Sequence, residues 1–274
     1  MITYSMTPLE IFRQIYGELD QLNYWMFKKT PNVLKEFDKI YTYPKSANRN
    51  FISPRTNNEY WFIYSQNEPK TEIKEKIVLK FIHNHFLYYI IFDILPIFDK
   101  EKKDVYYSPI LKILTGHFIK RYKERCLNDT SIDDIKSVEL FITNNNPSGH
   151  LPSKITNKIL NTKKTKPNDE IFRINQGFCI VNCKEHIIGN ERIINDINTN
   201  YVMCHTYKTF LPDSILSNKQ IEEIELESVD YIKAVIEMLN NENEKLKKKN
   251  SEEYNKNVKN NLKIAAHSGL FFDI

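Results

Sequence analysis

The chain has 274 residues, of which 41% are hydrophobic and 12% aromatic, so it has enough large side chains for a packed core, and a disordered protein is excluded. Its four cysteines are too few and too scattered for a secreted disulfide scaffold of this length. The net charge of +4 is too small to predict nucleic-acid binding by itself.

The N-terminal residues lack the basic and apolar regions of a secretory signal peptide. The longest apolar run, from Phe86 to Phe98, contains Asp93 and Pro96 and is shorter than the roughly 20 residues that cross a bilayer. We therefore expect a cytoplasmic protein with no membrane partner.

Residues 1–58 are predicted to form an N-terminal helical region. Thr7-Pro8-Leu9-Glu10 has the pattern of a capping box with proline at the first helical position, and apolar residues at helical spacing follow to about Phe27. Thr30-Pro31 repeats this start signal and predicts a second helix that ends near Ile40. The prolines, serines and asparagines of residues 41–58 predict a loop.

Residues 59–215 are predicted to form the main α+β domain. Short blocks of aromatic and β-branched residues predict strands within 59–95, with His83-Asn84-His85 as a turn between two of them. The other predicted elements are helices at 115–127 and 131–142, a basic loop at 144–168, strands at 171–174, 178–182 and 201–210, and a turn at Asn175-Gln176-Gly177.

Residues 216–274 are predicted to form a C-terminal helical extension, because apolar residues recur at helical spacing through an acidic segment from Glu222 to Glu244. Together the elements predict an α+β fold. It comprises N-terminal helices, a central antiparallel sheet with a packed basic helix, and a long C-terminal helix.

Basic residues are concentrated in the middle of the sequence. Five basic residues and one acid lie between Lys112 and Arg125, and five lysines with no acid lie between Lys154 and Lys166. Such runs are most often solvated faces, but they are also typical of a surface that contacts phosphates. Both interpretations are open at this point.

The run from His117 to Arg125 contains the most distinctive local pattern. On a helix, residues four and eight positions apart lie within roughly 40° and 80° of each other, so His117, Arg121 and Arg125 share one side. Guanidinium groups match phosphate oxygens with paired donors, and histidine exchanges a proton near neutral pH. The pattern therefore predicts a phosphodiester-binding site. The alternative is that the two arginines pair with carboxylates such as Glu124 and have a structural role.

This run, preceded by Pro109 and Thr115, resembles the His-Phe-Phe-x-Arg-Tyr-x-Glu-Arg signature of a group of uncharacterised bacterial and phage-borne proteins. The later segment from His205 to Asp213 is similar to a strand of that group that leads into a terminal helix. A helix with His-x3-Arg-x3-Arg followed by an antiparallel sheet is also distantly similar to the small ribonuclease toxins of the RelE and barnase-like type. The resemblance covers about residues 105–215.

The resemblance to the toxins implies metal-independent RNA cleavage, in which a ribose 2′-hydroxyl attacks the adjacent phosphate. In that chemistry His117 and His205 are the candidates for proton transfer. Arg121 and Arg125 would stabilise charge at phosphorus, and Thr206 would position a phosphate oxygen. No cofactor and no metal is expected. The residues predicted to contact nucleic acid are Lys120, Lys154, Lys163, Lys164 and Lys208.

Two structural alternatives are open for the later strands. A strand histidine such as His205 is commonly a satisfied, partly buried residue. A zinc site fits only loosely, because the ligand spacing is irregular and residues 204 and 205 point to opposite faces of a strand. The ligands of such a site would come from Cys179, Cys183, His186, Cys204 and His205.

The predicted function is an RNA-directed, metal-independent nuclease-like domain, active or degenerate, and whether the chain is an enzyme is left open. The alternative is a non-catalytic nucleic-acid or protein-interaction module of phage or mobile-element origin. RNA is the first candidate partner and another protein is the second.

Overall fold

The computed structural model describes residues 6–83, 86–99, 104–145, 168–187 and 201–212, with the single residues 214, 218 and 222. The helices are α1 (Pro8–Tyr16), α2 (Leu19–Phe37), α3 (Gly116–Tyr122) and α4 (Asp134–Asn144), and a π-helical turn (Lys123–Leu127) continues α3. The strands are β1 (Lys45–Ile52), β2 (Glu59–Gln66), β3 (Lys74–His83), β4 (Phe86–Asp99), β5 (Asp104–Thr115), β6 (Asp169–Ile174), β7 (Gly177–Ile187) and β8 (Tyr201–Leu211).

The eight described strands form one sheet, in the order β1-β2-β3-β4-β5-β8-β7-β6. Strands β1 to β5 follow one another as antiparallel neighbours. The hairpin of β6 and β7 lies at the far edge, and β8 fits between β7 and β5. Because β8 pairs with β5 in parallel, with Leu111 opposite Cys204, the sheet is mixed.

Helices cover both faces of the sheet, and the alternation of side chains along each strand divides the core into two clusters. In β2, Tyr60 and Phe62 pack with residues of α1 and α2, whereas Trp61 and Ile63 pack with residues of α3 and α4. These two surfaces are called the α1–α2 face and the α3–α4 face. The arrangement has three layers, helices on either side of one sheet.

The predicted fold class is wrong about the type of sheet and about the proportion of strands to helices. The sheet is mixed rather than antiparallel, and in the described part of the chain eight strands dominate over four helices, the longest of which has 19 residues. A parallel pair joins strands that are far apart in the sequence, so no local pattern encodes it. The predicted long C-terminal helix, within 216–274, lies outside the described residues apart from residues 218 and 222.

Residues 45–52, predicted as part of a loop, form the edge strand β1. The strand pairs with β2 along its whole length. Ser46 and Asn48, on the α3–α4 face, donate hydrogen bonds to the carboxylate of Glu139 in α4, whose side chain is fully buried. The loop prediction is wrong because the polar side chains of this strand find their partners on a helix far away in the sequence.

The first predicted helix is interrupted at Gly17 and Glu18. α1 begins with the predicted capping box, in which Thr7 and Glu10 each accept a hydrogen bond from the backbone N–H of the other.

Glu18, between α1 and α2, is only 3% exposed. Its carboxylate accepts hydrogen bonds from four side chains of the β1–β2 connection and β2, which are Ser53, Thr56, Asn58 and Tyr60. Burial alone would raise the pKa of Glu18, but these hydrogen bonds lower it.

α2 continues through Pro31, so the helix predicted to begin at Thr30 is not separate. Proline leaves a helical carbonyl without its usual N–H partner, which normally favours a break. Here Leu22, Val33 and Phe37 are all buried against the sheet, and this one continuous face holds the helix together. None of the helices in the described part of the chain is long and apolar enough to cross a membrane.

The predicted turn between β6 and β7 is confirmed, and it ends at Gly177. This glycine has φ +146°, and a Cβ atom on it would lie 2.5 Å from the carbonyl oxygen of Leu211. The side chain of Gln176, in the same turn, accepts hydrogen bonds from the Tyr122 hydroxyl at 2.7 Å and from Asn145 Nδ2 at 2.8 Å. The turn therefore joins β8, the end of α3 and the end of α4.

Candidate functional site

Thr115 fixes the start of α3 against β8. Its Oγ1 atom accepts a hydrogen bond from the Phe118 N–H at 3.1 Å and donates one to the Tyr207 carbonyl at 3.0 Å. A capping hydroxyl of this kind satisfies one of the N–H groups that a helix leaves free at its first turn. The helix predicted over 115–127 is confirmed, and its last residues form the π-helical turn. Thr115 thus sets which side of α3 faces the solvent.

One side of α3 packs on the sheet through Phe118, Ile119 and Tyr122, all of which are buried. The Phe118 ring meets Tyr207 edge-on with centroids 5.5 Å apart, and Tyr122 meets Phe210 at the same distance. Aromatic pairs of this geometry each contribute about 0.5–1.5 kcal/mol beyond area burial. This buried apolar side makes α3 a rigid support for the residues on its outer side.

The outer side of α3 presents His117, Lys120 and Arg121, which together are called the α3 basic patch. His117 is exposed, and the Lys120 side chain is 72% exposed. Arg121 Nη1 lies 2.8 Å from a carboxylate oxygen of Glu124, and Lys120 Nζ lies 3.9 Å from the other oxygen. Surface ion pairs of this kind are weak, so Glu124 offsets part of the positive charge of the patch without fixing its side chains.

Arg125 is turned toward the sheet. Its Nη1 atom donates a hydrogen bond to the carbonyl oxygen of Phe210 at 2.9 Å, and the side chain is half-buried. The guanidinium therefore ties the π-helical turn to the end of β8. Arg121 and Arg125 thus differ, because Arg121 has a carboxylate partner on its own helix and Arg125 holds a strand.

His205 lies on the same face of the sheet as α3 but is enclosed. It is 4% exposed, and its ring meets Phe172 edge-on with centroids 5.1 Å apart. In the strand register it lies opposite Lys112 on β5 and Cys183 on β7. His117 is exposed at the start of α3 and His205 is buried in the sheet, so the two histidines are not presented together at one solvent-open surface.

Thr206 and Lys208 belong to a separate polar group of β6, β7 and β8. Thr206 lies opposite Asn182, which lies opposite Asp169. The Asp169 carboxylate accepts hydrogen bonds from Lys208 Nζ at 2.5 Å and from Asn182 Nδ2 at 2.8 Å. Strand alternation places Thr206 on the face opposite His205. The structure therefore does not bring Thr206 together with the histidine beside it in the sequence.

Of the predicted site residues, the structure brings His117, Lys120 and Arg121 together at the surface. Arg125 adjoins them but contacts the backbone, whereas His205, Thr206 and Lys208 lie elsewhere in the sheet. Lys154, Lys163 and Lys164 lie outside the described residues. The assignment of catalytic and nucleic-acid-binding roles stays a prediction.

The middle of the sheet contains an ionic triad that local patterns do not reveal. Asp93 on β4 lies between Lys76 on β3 and Lys112 on β5, at 2.8 Å and 3.0 Å. Burial alone would raise the pKa of Asp93, but the two ammonium groups lower it to about 2. Burial also lowers the pKa of Lys112, and Asp93 opposes that effect. The only sequence signal was a charged residue inside an apolar strand, which implies a buried partner.

The cysteines of β7 and β8 are not activated. Burial raises the pKa values of Cys179, Cys183 and Cys204. A thiol that stays protonated is a poor nucleophile. Cys204 packs in the core of the α1–α2 face, whereas its neighbour His205 contacts Phe172. Within the described ranges, no group of three or more His, Cys, Asp or Glu side chains is placed to hold a metal ion.

The chain was also compared with known proteins. No family model matches it, and neither the search of curated proteins nor the search of solved structures found a match.

Proposed function

We propose that the chain is a non-catalytic module that binds RNA through the α3 basic patch. The observation that carries this proposal is that His117, Lys120 and Arg121 share the solvent side of a helix whose other side is anchored on the sheet. Cations held on a rigid support attract the phosphates of a nucleic acid and release its bound counterions. Arg121 also offers a planar pair of donors, which matches phosphate oxygens.

Binding is favoured over cleavage because the two candidate proton-transfer groups, His117 and His205, differ in their exposure to solvent. A 2′-hydroxyl attack needs a base and an acid on either side of one phosphate. His117 is exposed, whereas His205 is 4% exposed and packs on Phe172. The arginine nearest β8, Arg125, is engaged with the Phe210 carbonyl. A phosphate at the α3 basic patch would therefore meet cations but not a pair of histidines.

The proposal is tested by fluorescence anisotropy with a labelled single-stranded RNA at several salt concentrations. Each phosphate contact contributes a slope of roughly −0.7 to log K against log salt, which is about fivefold in affinity at roughly 0.1 M salt. We expect Lys120→Glu to weaken binding by at least about fivefold and to lower the magnitude of the slope by about 0.7.

The matched control is Lys39→Glu. Lys39 is an exposed residue that follows α2, away from the α3 basic patch, and the substitution changes the net charge by the same amount. This variant should bind as the wild type does. Equal weakening by both variants would contradict a local site, and a wild-type chain with no salt-dependent affinity would end the proposal. Cleavage of the RNA in the presence of a chelator, abolished by His117→Ala, would replace binding with the ribonuclease interpretation.

A further inference from the structure

The outer side of α2 carries a row of large exposed apolar side chains. Tyr24 is 54% exposed, Phe27 75% and Leu34 46%, and Pro31 completes the row as a fourth exposed residue. The steps between these residues are three, four and three positions, so they line one seam of the helix. The opposite side of the same helix is buried in the core. α2 is therefore apolar on two sides, and the sheet covers only one of them.

A groove runs beside this seam, between α2 and strands β3 and β4. It has a volume of about 240 Å³; its apolar lining comes from Leu19, Met26, Ile77 and Phe92, and its polar lining comes from Asn23, Glu75, Lys76 and Asp93. A cavity of about 150 Å³ accommodates a benzene ring, so this groove is large enough for a phenyl group. Met26 and Asn23 are within one helical turn of the exposed Phe27. The exposed Phe27 ring therefore lies beside a groove that is large enough for a phenyl ring.

We propose that this surface pairs with α2 of a second copy of the chain, with the two helices antiparallel about a two-fold axis. A two-fold contact is self-complementary, so a protrusion and a groove on the same element can each fill the other. In the proposed dimer, Phe27 of each copy lies near the axis and occupies the groove beside Met26 of its partner. The proposal does not depend on RNA binding.

Charge complementarity supports the antiparallel direction. Asp20 is exposed in the first turn of α2 and Lys35 is exposed in the last. An antiparallel pair centred on Phe27 and Lys28 brings Asp20 of one copy opposite Lys35 of the other. A parallel pair would instead place like charges opposite each other at both ends, which is unfavourable.

A two-fold pairing doubles the apolar area that is buried. With aromatic side chains of roughly 200 Å² each, Tyr24 and Phe27 leave about 250 Å² exposed per copy, or about 500 Å² in a pair. A specific interface buries at least about 1,000 Å² in total, so the pairing must also bury Leu34, Pro31 and the residues beside the seam.

The test is the molar mass of the full chain in solution, measured by light scattering after size exclusion over a range of micromolar concentrations. The wild type should have twice the mass of one chain. Phe27→Glu should have the mass of one chain, with an unchanged circular dichroism spectrum because the residue is at the surface. The control is Phe86→Glu, at an exposed residue (66%) at the start of β4, which should remain dimeric.

A charge exchange tests the direction of the helices. Asp20→Lys should weaken the dimer at least about tenfold, because two pairs per dimer become repulsive. The double variant Asp20→Lys/Lys35→Asp should restore it. A wild type that has the mass of one chain throughout would overturn the proposal, and so would a dimer that survives Phe27→Glu. Failure of the double variant to restore the dimer would overturn the antiparallel pairing.

Discussion

The substitution Asp93→Asn tests whether the ion pairs of Asp93 with Lys76 and Lys112 stabilise the middle of the sheet. The Asp93 carboxylate bonds Lys76 and Lys112, and the side chains of Asp93 and Lys112 are 13% and 10% exposed. Asparagine keeps the size of the side chain but removes its charge. Lys112 would then be left buried with a positive charge and no counter-ion in the triad.

The magnitude follows from the pKa of Asp93 and from the cost of an unpaired buried charge. The fall in pKa from 3.8 to about 2 corresponds to roughly 2–3 kcal/mol of stabilisation. Because the folded-state pKa is the lower one, this contribution is present above about pH 4 and disappears as the pH falls through 2. Removing one partner of a buried ion pair costs about 3–5 kcal/mol, so we expect a loss in this range at neutral pH.

Urea denaturation at pH 7 and at pH 3 measures both effects. At pH 7 the variant should be less stable by about 3–5 kcal/mol, and the difference should shrink at pH 3 because the wild type loses stability there. The double variant Asp93→Asn/Lys112→Met removes the buried charge and should recover most of the loss. A stabilising role of the triad would be contradicted if Asp93→Asn is within about 0.5 kcal/mol of wild type at pH 7, or if the effects of the two substitutions on the free energy of unfolding simply add.

Two further predictions concern the turns that join the layers. Gly177→Ala should lower the free energy of unfolding by more than about 2 kcal/mol, since the added Cβ would meet the Leu211 carbonyl at a φ of +146°. Gly17→Ala, at φ −66°, is the control and should cost less than about 1 kcal/mol, because its Cβ would lie 3.3 Å from the Arg13 carbonyl oxygen; equal losses would show that strain is not the cause. Glu18→Gln should cost about 1–3 kcal/mol at pH 7, because the amide faces donors such as the Tyr60 hydroxyl. The pKa of Glu18 is lowered, so its contribution falls as the pH drops below 4.5, and a difference independent of pH would contradict this account.

Local signals in the sequence predicted the elements that depend on neighbouring residues. Thr7 and Glu10 form the expected capping box, and the helix predicted over 115–127 begins after Thr115. The turn at Gly177 also forms where the sequence indicates it. In each case the interacting groups are only a few residues apart, so the pattern contains both partners.

Predictions failed where the partner is remote in the sequence. β1 has polar side chains, and its place in the sheet depends on β2 and on Glu139 of α4. α2 passes through Pro31 because its buried face rests on the sheet. The candidate site could be predicted only in part for the same reason. A helical pattern indicates that His117 and Arg121 share a side of α3, but the burial of His205 depends on segments that are remote in the sequence.

Short-range patterns in the sequence were sufficient for the capping box, for the turn at Gly177 and for the alternation that sends Thr206 and His205 to opposite sides of β8. Caps, turns and side-chain periodicity depend on short-range geometry, which is the same in any fold. Only the tertiary structure decided the strand order, the parallel pairing of β5 with β8, and the triad around Asp93. Those features depend on contacts between distant segments, and the free energy that selects them comes from burying both faces of one sheet at once.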